Sequence, residues 1–128
     1  LGLVAVAALL ATTVVAVENY PPAAKDFKLK GDAKAGKEVF TTYCASCHGE
    51  SGKGDGAAAA ALDPKPANLT DKKVLLKRSD WEIFVMIRDG GAAVGRSPMM
   101  VPWGSALKEQ QLHDVAAYVR KFSGKPKK

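Results

Sequence analysis

Five consecutive residues, Cys44-Ala-Ser-Cys47-His48, constrain this chain more than any others. They hold its only two cysteines and one of its two histidines. On a helix, positions i, i+3 and i+4 share a face, so both thiols and the imidazole aim at one object. The residues before them predict that helix. Asp32 is a good N-cap, and Val39, Phe40 and Tyr43 recur at helical spacing through AKAGKEVFTTYCASC. Gly36 leaves room for another element to approach closely.

From Gly49 to Lys73 the pattern is loop-like. GESGKGDG is glycine-rich, AAAAAL suits one helical turn, and DPKPANLTD is punctuated by proline. Ser79 followed by Glu82 then forms a capping box, predicting a helix with Ile83, Phe84 and Ile87 on its buried face. Met86 inside it reads as a core residue, and Gly90 with Gly91 ends it. A last helix is expected over 108–122, with Leu112, Val115, Ala116, Val119 and Phe122 on one face. Arg120 and Lys121 suit the negative end of its dipole. Lys108 is a poor N-cap for it, and Ser105 offers one a turn earlier. No segment after residue 17 has strand periodicity. The expected class is all-α, with three to four helices and long loops. So few helices bury only a modest core, so something besides side chains must fill the centre.

The chain ends differ from this domain, expected over 32–123. Residues 1–17, LGLVAVAALLATTVVAV, carry no ionisable side chain. They read as the apolar region of a secretory signal, with Val14 and Ala16 before a plausible cleavage site. An uncleaved membrane anchor is the rival, since about 17–25 apolar residues span a bilayer. Either reading places the domain in the periplasm or otherwise outside the cytoplasm. Residues 18–31 look like a Pro-containing linker. The net charge of +6 is concentrated near the C-terminus, where RKFSGKPKK over 120–128 holds five positive charges and no negative one. That pattern, ending in a basic tail over 124–128, is a solvated terminus. No basic face interleaved with aromatics is present, which argues against nucleic acid.

Cys-x-x-Cys-His is the attachment pattern of c-type haem: each thiol adds to a vinyl group, and the histidine binds the iron. Two rivals use the same residues. A zinc site would need Cys44, Cys47, His48 and His113, but His113 lies at the edge of the last helix's apolar face and reads as a surface residue. A redox dithiol is expected near a βαβ pattern, which is missing, and a disulfide here would close only a tiny loop. GESGKGDG is not a phosphate loop, because Gly54 follows Gly-Lys where Ser or Thr is required. Its glycines are expected to let the backbone turn closely around a flat ligand.

The segments AGKEVFTTYCASCHGESGKGDG, PKPANLTD, SPMMVPWG and LKEQQLHDVAAYVRKF together resemble a class I mono-haem c-type cytochrome. The resemblance implies the cytochrome c fold, wrapped around one covalently bound haem c, with Gly36 and Phe40 meeting Tyr118 where first and last helices cross. It implies thioethers at Cys44 and Cys47, His48 as proximal iron ligand, and a Pro64 or Pro66 carbonyl accepting from the His48 ring. Met100 is the expected distal ligand, with Trp103 three residues on as in the family's loop. Met99 is the runner-up, expected to pack on the haem. Pro98 and Pro102 would stiffen the loop. Such a site implies an exported one-electron carrier, monomeric, serving redox partner proteins, with membrane association only through residues 1–17. The alternative is a haem subunit of a dehydrogenase or reductase complex, or a weak peroxidase if the Met ligand is labile.

Overall fold

The computed structural model describes residues 19–24 and 26–124. The expected leader or anchor over 1–17 and residues 125–128 of the basic tail lie outside them. Asp32 accepts from the Lys34 backbone N–H at 2.8 Å and starts α1, Ala33–Tyr43. The continuous helix expected through both cysteines is interrupted: Cys44 closes α1 at φ −113°, and a separate four-residue turn, α2, spans Ala45–His48. A short α3, Lys72–Leu75, was not anticipated. Asp71 caps it by accepting from the Lys73 N–H at 2.9 Å. Both halves of the capping box form at α4, Asp80–Asp89: Ser79 Oγ accepts from the Glu82 N–H at 3.2 Å, and Glu82 Oε2 from the Ser79 N–H at 2.6 Å. The last helix, α5, spans Glu109–Lys121 and starts directly after Lys108 rather than at Ser105. Gln111 takes over as cap, its Oε1 accepting from the Lys108 N–H at 3.0 Å. With two 3₁₀ turns, Ala59–Ala61 and Ala92–Val94, and no strand among the described residues, the class is all-α.

Packing follows the apolar faces. α1 lies against α5 at Gly36, where the backbone nearly touches the Asp114 carbonyl and Tyr118 Cβ. Phe40 is buried, its ring 5.3 Å from Tyr118 and 5.5 Å from Phe122. Leu112, Val115, Ala116 and Val119 are buried from α5, and Ile83, Phe84, Val85 and Ile87 from α4. Fully burying each larger side chain contributes about 1.5–3 kcal/mol.

Three expectations change. Arg120 does not belong to a solvated basic end. It is 8% exposed, and its guanidinium donates to Asp80 Oδ1 at 2.7 Å and to the Leu75 and Arg78 carbonyls at 3.0 and 2.7 Å. A buried cation needs such partners, so this one ties α5 to the turn between α3 and α4. The predicted linker is laid onto the domain rather than extended from it. Phe27 packs 4.8 Å from Trp81, 5.3 Å from Phe84 and 5.8 Å from His113. Trp81 Nε1 donates to the Pro21 carbonyl at 2.7 Å, and the Asn19 N–H to Val94 O at 3.2 Å. Its prolines hid two apolar anchors, Phe27 and Leu29, that pack against the core. His113, expected at the surface, is therefore covered: its side chain is 12% exposed, and Nδ1 accepts from the Lys30 N–H at 3.3 Å.

Gly36→Val places methyl groups into the Asp114 carbonyl and is expected to destabilise the domain by about 3 kcal/mol. Urea unfolding measures this, and an unchanged midpoint would refute the close packing of α1 on α5.

Candidate functional site

The break at Cys44 turns α2 so that Cys44, Cys47 and His48 all border one cavity of about 510 Å³. Its wall is mainly apolar and comes from every part of the fold: Phe40, Leu69, Leu75, Ile83, Ile87 and Val119 contribute to it. Cys44 is 8% exposed, and burial, aided by the neighbouring Cys47, pushes its thiol up to about 12. The two cysteines are not joined to each other, and Cys47 is partly exposed.

The His48 ring has one nitrogen committed. Nδ1 lies 3.2 Å from the Ala67 carbonyl, and since a carbonyl only accepts, the proton sits on Nδ1. Nε2 is left with its lone pair. Burial pulls the ring below the usual histidine range, opposed by the Ala67 carbonyl. A neutral imidazole with a fixed tautomer is what metal ligation requires. The carbonyl predicted for this role belonged to Pro64 or Pro66. Both prolines border the cavity, but the Pro66 carbonyl lies against Gly54, which leaves the next one along, Ala67, for the ring.

The glycine-rich loop works differently from expectation as well. Its N–H groups return to the carbonyls of α2: Gly54 to His48 at 2.7 Å, Gly56 to Cys47 at 3.1 Å and Ala58 to Ser46 at 2.9 Å. Gly54, at φ +79°, has no space for a Cβ beside the Pro66 carbonyl. The loop therefore wraps α2 and holds the 66–67 backbone, rather than lying on a flat ligand itself.

The SPMMVPWG segment is stitched to the C-terminal end of α4. The Trp103 and Gly104 N–H groups donate to the Ile87 and Arg88 carbonyls at 3.0 and 2.9 Å, and the Gly91 N–H to Met100 O at 2.8 Å. Carbonyls at a helix end lack intrahelical partners, so α4 recruits the loop as its cap. Trp103 packs edge-on to Tyr43, with ring centroids 5.4 Å apart. Met99, Met100 and Trp103 all border the cavity. Met100 is half-buried and packs against the core, whereas Met99 is 46% exposed. Met86, expected in the core, also borders the cavity and is only partly buried.

The zinc alternative fails on geometry. No group of three or more His, Cys, Asp or Glu side chains converges among the described residues. His113 faces Phe27 and Phe84, its ring 4.7 Å from the latter. Sequence reasoning missed the polar rim of the cavity, where Arg78, Glu82 and Arg96 stand. These residues come from separate elements and share no spacing that marks them. The Ala67 carbonyl, a backbone atom, leaves no trace in the sequence either.

The family model described as Cytochrome c matches residues 33–123. Cytochrome c-554(547) of Halothiobacillus neapolitanus is 33% identical over 94 residues, covering 70% of this chain and 94% of that protein. The Cbb3-type cytochrome c oxidase subunit FixP of Bradyrhizobium diazoefficiens is 31% identical over 113 residues, 87% of this chain but 35% of the subunit. Among solved structures, a chain of the reducing HAO-like protein complex of Kuenenia stuttgartiensis superposes with a TM-score of 0.60 at 30% identity. The match covers 76% of this chain and 44% of that one.

Proposed function

Because the chain belongs to the cytochrome c family, and so carries one covalently bound haem c, we propose that Cys44 and Cys47 are its two thioether anchors. His48 Nε2 is then the proximal ligand and Met100 the distal one. The protein is a one-electron carrier rather than an enzyme. The observation that supports these assignments best is the convergence of Cys44, Cys47, His48 and Met100 on one largely apolar cavity. Haem supplies reversible one-electron chemistry there.

The chain's own residues bind, orient and insulate. Ala67 keeps the proton on Nδ1, so Nε2 presents its lone pair. The α4 cap holds the Met100 loop, and Pro98 and Pro102 lower the entropy lost in keeping the sulfur in place. The half-buried position of Met100 favours it over Met99, whose exposure suits the outer edge of the site. A soft thioether stabilises the reduced state relative to a second nitrogen ligand, which raises the potential. We place the domain outside the cytoplasm, monomeric, exchanging electrons with redox partner proteins. Residues 1–17 serve as leader or anchor, and no helix among the described residues is long and apolar enough to cross a membrane.

A second reading is favoured by the likeness to a third of an oxidase subunit: the chain serves as an electron-entry domain within a respiratory complex. Haem-stained native electrophoresis of solubilised membranes separates the two. A single low-mass band supports the free carrier, and co-migration with a large complex supports the second.

A pyridine haemochrome assay is expected to give one haem c per chain, and a spectrum without haem would sink the assignment. Met100→Ala is expected to abolish the iron–sulfur charge-transfer absorption and lower the potential by on the order of 100 mV, whereas Met99→Ala retains the band. Loss of the band only in Met99→Ala would reverse the ligand assignment. With Cys44 and Cys47 both changed to Ala, haem-free protein is expected to lose cooperative thermal unfolding. Without haem the apolar walls contributed by Phe40, Leu75, Ile83, Ile87 and Val119 lose the group they pack against, and a typical domain has only about 5–15 kcal/mol of stability to lose. A cooperative transition followed by circular dichroism would contradict it.

A further inference from the structure

The segment preceding α1 lies outside the residues matched by the family model, yet it reaches the turn that carries the Met100 loop. It runs along α4. Phe27 sits against the Trp81 and Phe84 rings, the Pro21 carbonyl accepts from Trp81 Nε1 at 2.7 Å, and the Asn19 N–H donates to Val94 O at 3.2 Å. Val94 is fully buried and ends the 3₁₀ turn Ala92–Val94, between α4 and the Met100 loop.

That turn is held from two sides. On one, Asn19, Tyr20, Pro21 and Pro22 face Ala93 and Val94. On the other, Gly91 ties it to the loop: its N–H donates to Met100 O at 2.8 Å, and its carbonyl accepts from Val94 and Arg96 at 3.1 and 2.8 Å. A Cβ on Gly91 would strike the Ser97 carbonyl, and one on Gly90 the Met100 carbonyl, so turn and loop touch without spare room. Lifting the loop alone strands the Gly91 N–H, and an unpaired buried donor is costly. Turn and loop therefore move together, and that motion pulls Val94 off Asn19. The loop's far end meets the same cluster. Gly104 donates to the Arg88 carbonyl at 2.9 Å, and the Arg88 guanidinium lies over the Trp81 and Phe84 rings, 5.4 Å from each centroid.

We propose that the segment over 19–31 is a strap that keeps the Met100 sulfur on the haem iron, with Phe27 and Trp81 as its positioning residues. The inference rests on the haem reading above. A soft thioether favours the reduced ion, so the sulfur is held least firmly in the oxidised protein. A competing ligand reaches the iron only in the fraction of molecules whose loop has opened, and its apparent affinity scales with that fraction. The strap keeps the fraction small.

The test is titration of the oxidised, haem-loaded full chain with imidazole, followed by loss of the iron–sulfur charge-transfer band. Phe27→Ala withdraws the strap's apolar anchor. Trp81→Phe keeps a ring but removes the donor to Pro21. Val115→Ala is the control, a fully buried position in α5 that does not border the cavity. Phe27→Ala is expected to bind imidazole about ten-fold more tightly than the unsubstituted protein, and Trp81→Phe about three-fold. Val115→Ala is expected to melt at lower temperature with unchanged affinity. Hydrogen exchange at the Gly91 amide is expected to quicken by the same factors in the two strap variants. Unchanged affinity in Phe27→Ala, or in Trp81→Phe should Phe27→Ala not fold, would overturn the proposal and leave the strap as packing alone. Equal tightening in Val115→Ala would overturn it too, because the opening would then be global. A chain without haem, or Met100→Ala protein that keeps the band, would instead sink the reading beneath the proposal, and those two measurements report that separately.

Discussion

A cavity of about 510 Å³ in the middle of so small a domain is the constraint around which the remaining structure is organised. Phe40 of α1, Leu75 of α3, Ile83 and Ile87 of α4, and Val119 of α5 turn side chains toward it as well as toward one another. Protein interiors are close-packed, so a void of this size forfeits dispersion contacts on every wall. Two thiols beside it allow a filling group to be joined covalently, which makes that group a permanent part of the core. This is why long loops suffice over 49–71 and 95–107. They need to lie against a rigid centre, not to form one.

Holding loops in place without regular structure requires every backbone group to find a partner. The solution recurs at three helix ends. The 49–58 loop returns its N–H groups to the carbonyls of α2, the Met loop caps the last carbonyls of α4, and Arg120 takes the Leu75 and Arg78 carbonyls around the start of α4. Each contact satisfies a helix end and fixes one wall of the cavity at the same time. The close approach of α1 and α5 at Gly36 supplies the frame on which these loops hang.

The electrostatics divide the cavity into two environments. Around His48, burial dominates and keeps the imidazole neutral, with the Ala67 carbonyl choosing the tautomer. At the rim, Arg78 and Arg96 face Glu82, and the Tyr20 ring lies against the first of them. An apolar interior suits a flat ring system, while the charged side chains Arg78, Glu82 and Arg96 stand at its edge. Such a division sets both orientation and potential through charge placed at fixed positions.

The chemistry of the site was legible in short-range pattern. Five residues, Cys44 to His48, stated the cofactor class, because thioether attachment needs two thiols and a ligand at helical spacing. The N-cap at Asp32, the capping box at Ser79 and Glu82, and the apolar stripe of α5 likewise declared themselves, since each is a local interaction written within a few residues. What lay beyond the sequence were contacts between segments distant along the chain. Prolines suggested a free linker over 18–31, but Phe27 found a pocket between Trp81, Phe84 and His113 that exists only once α4 and α5 are packed. Pro64 and Pro66 were placed at the right wall, yet a shift of one peptide decided that Ala67 reaches His48. Arg120 read as part of a basic end, and packing made it a buried cross-link. Local sequence determines which groups exist and which helices carry them. Only the tertiary structure decides which backbone carbonyl or guanidinium arrives beside the cavity, because burial and partnership are properties of surfaces that folding brings together.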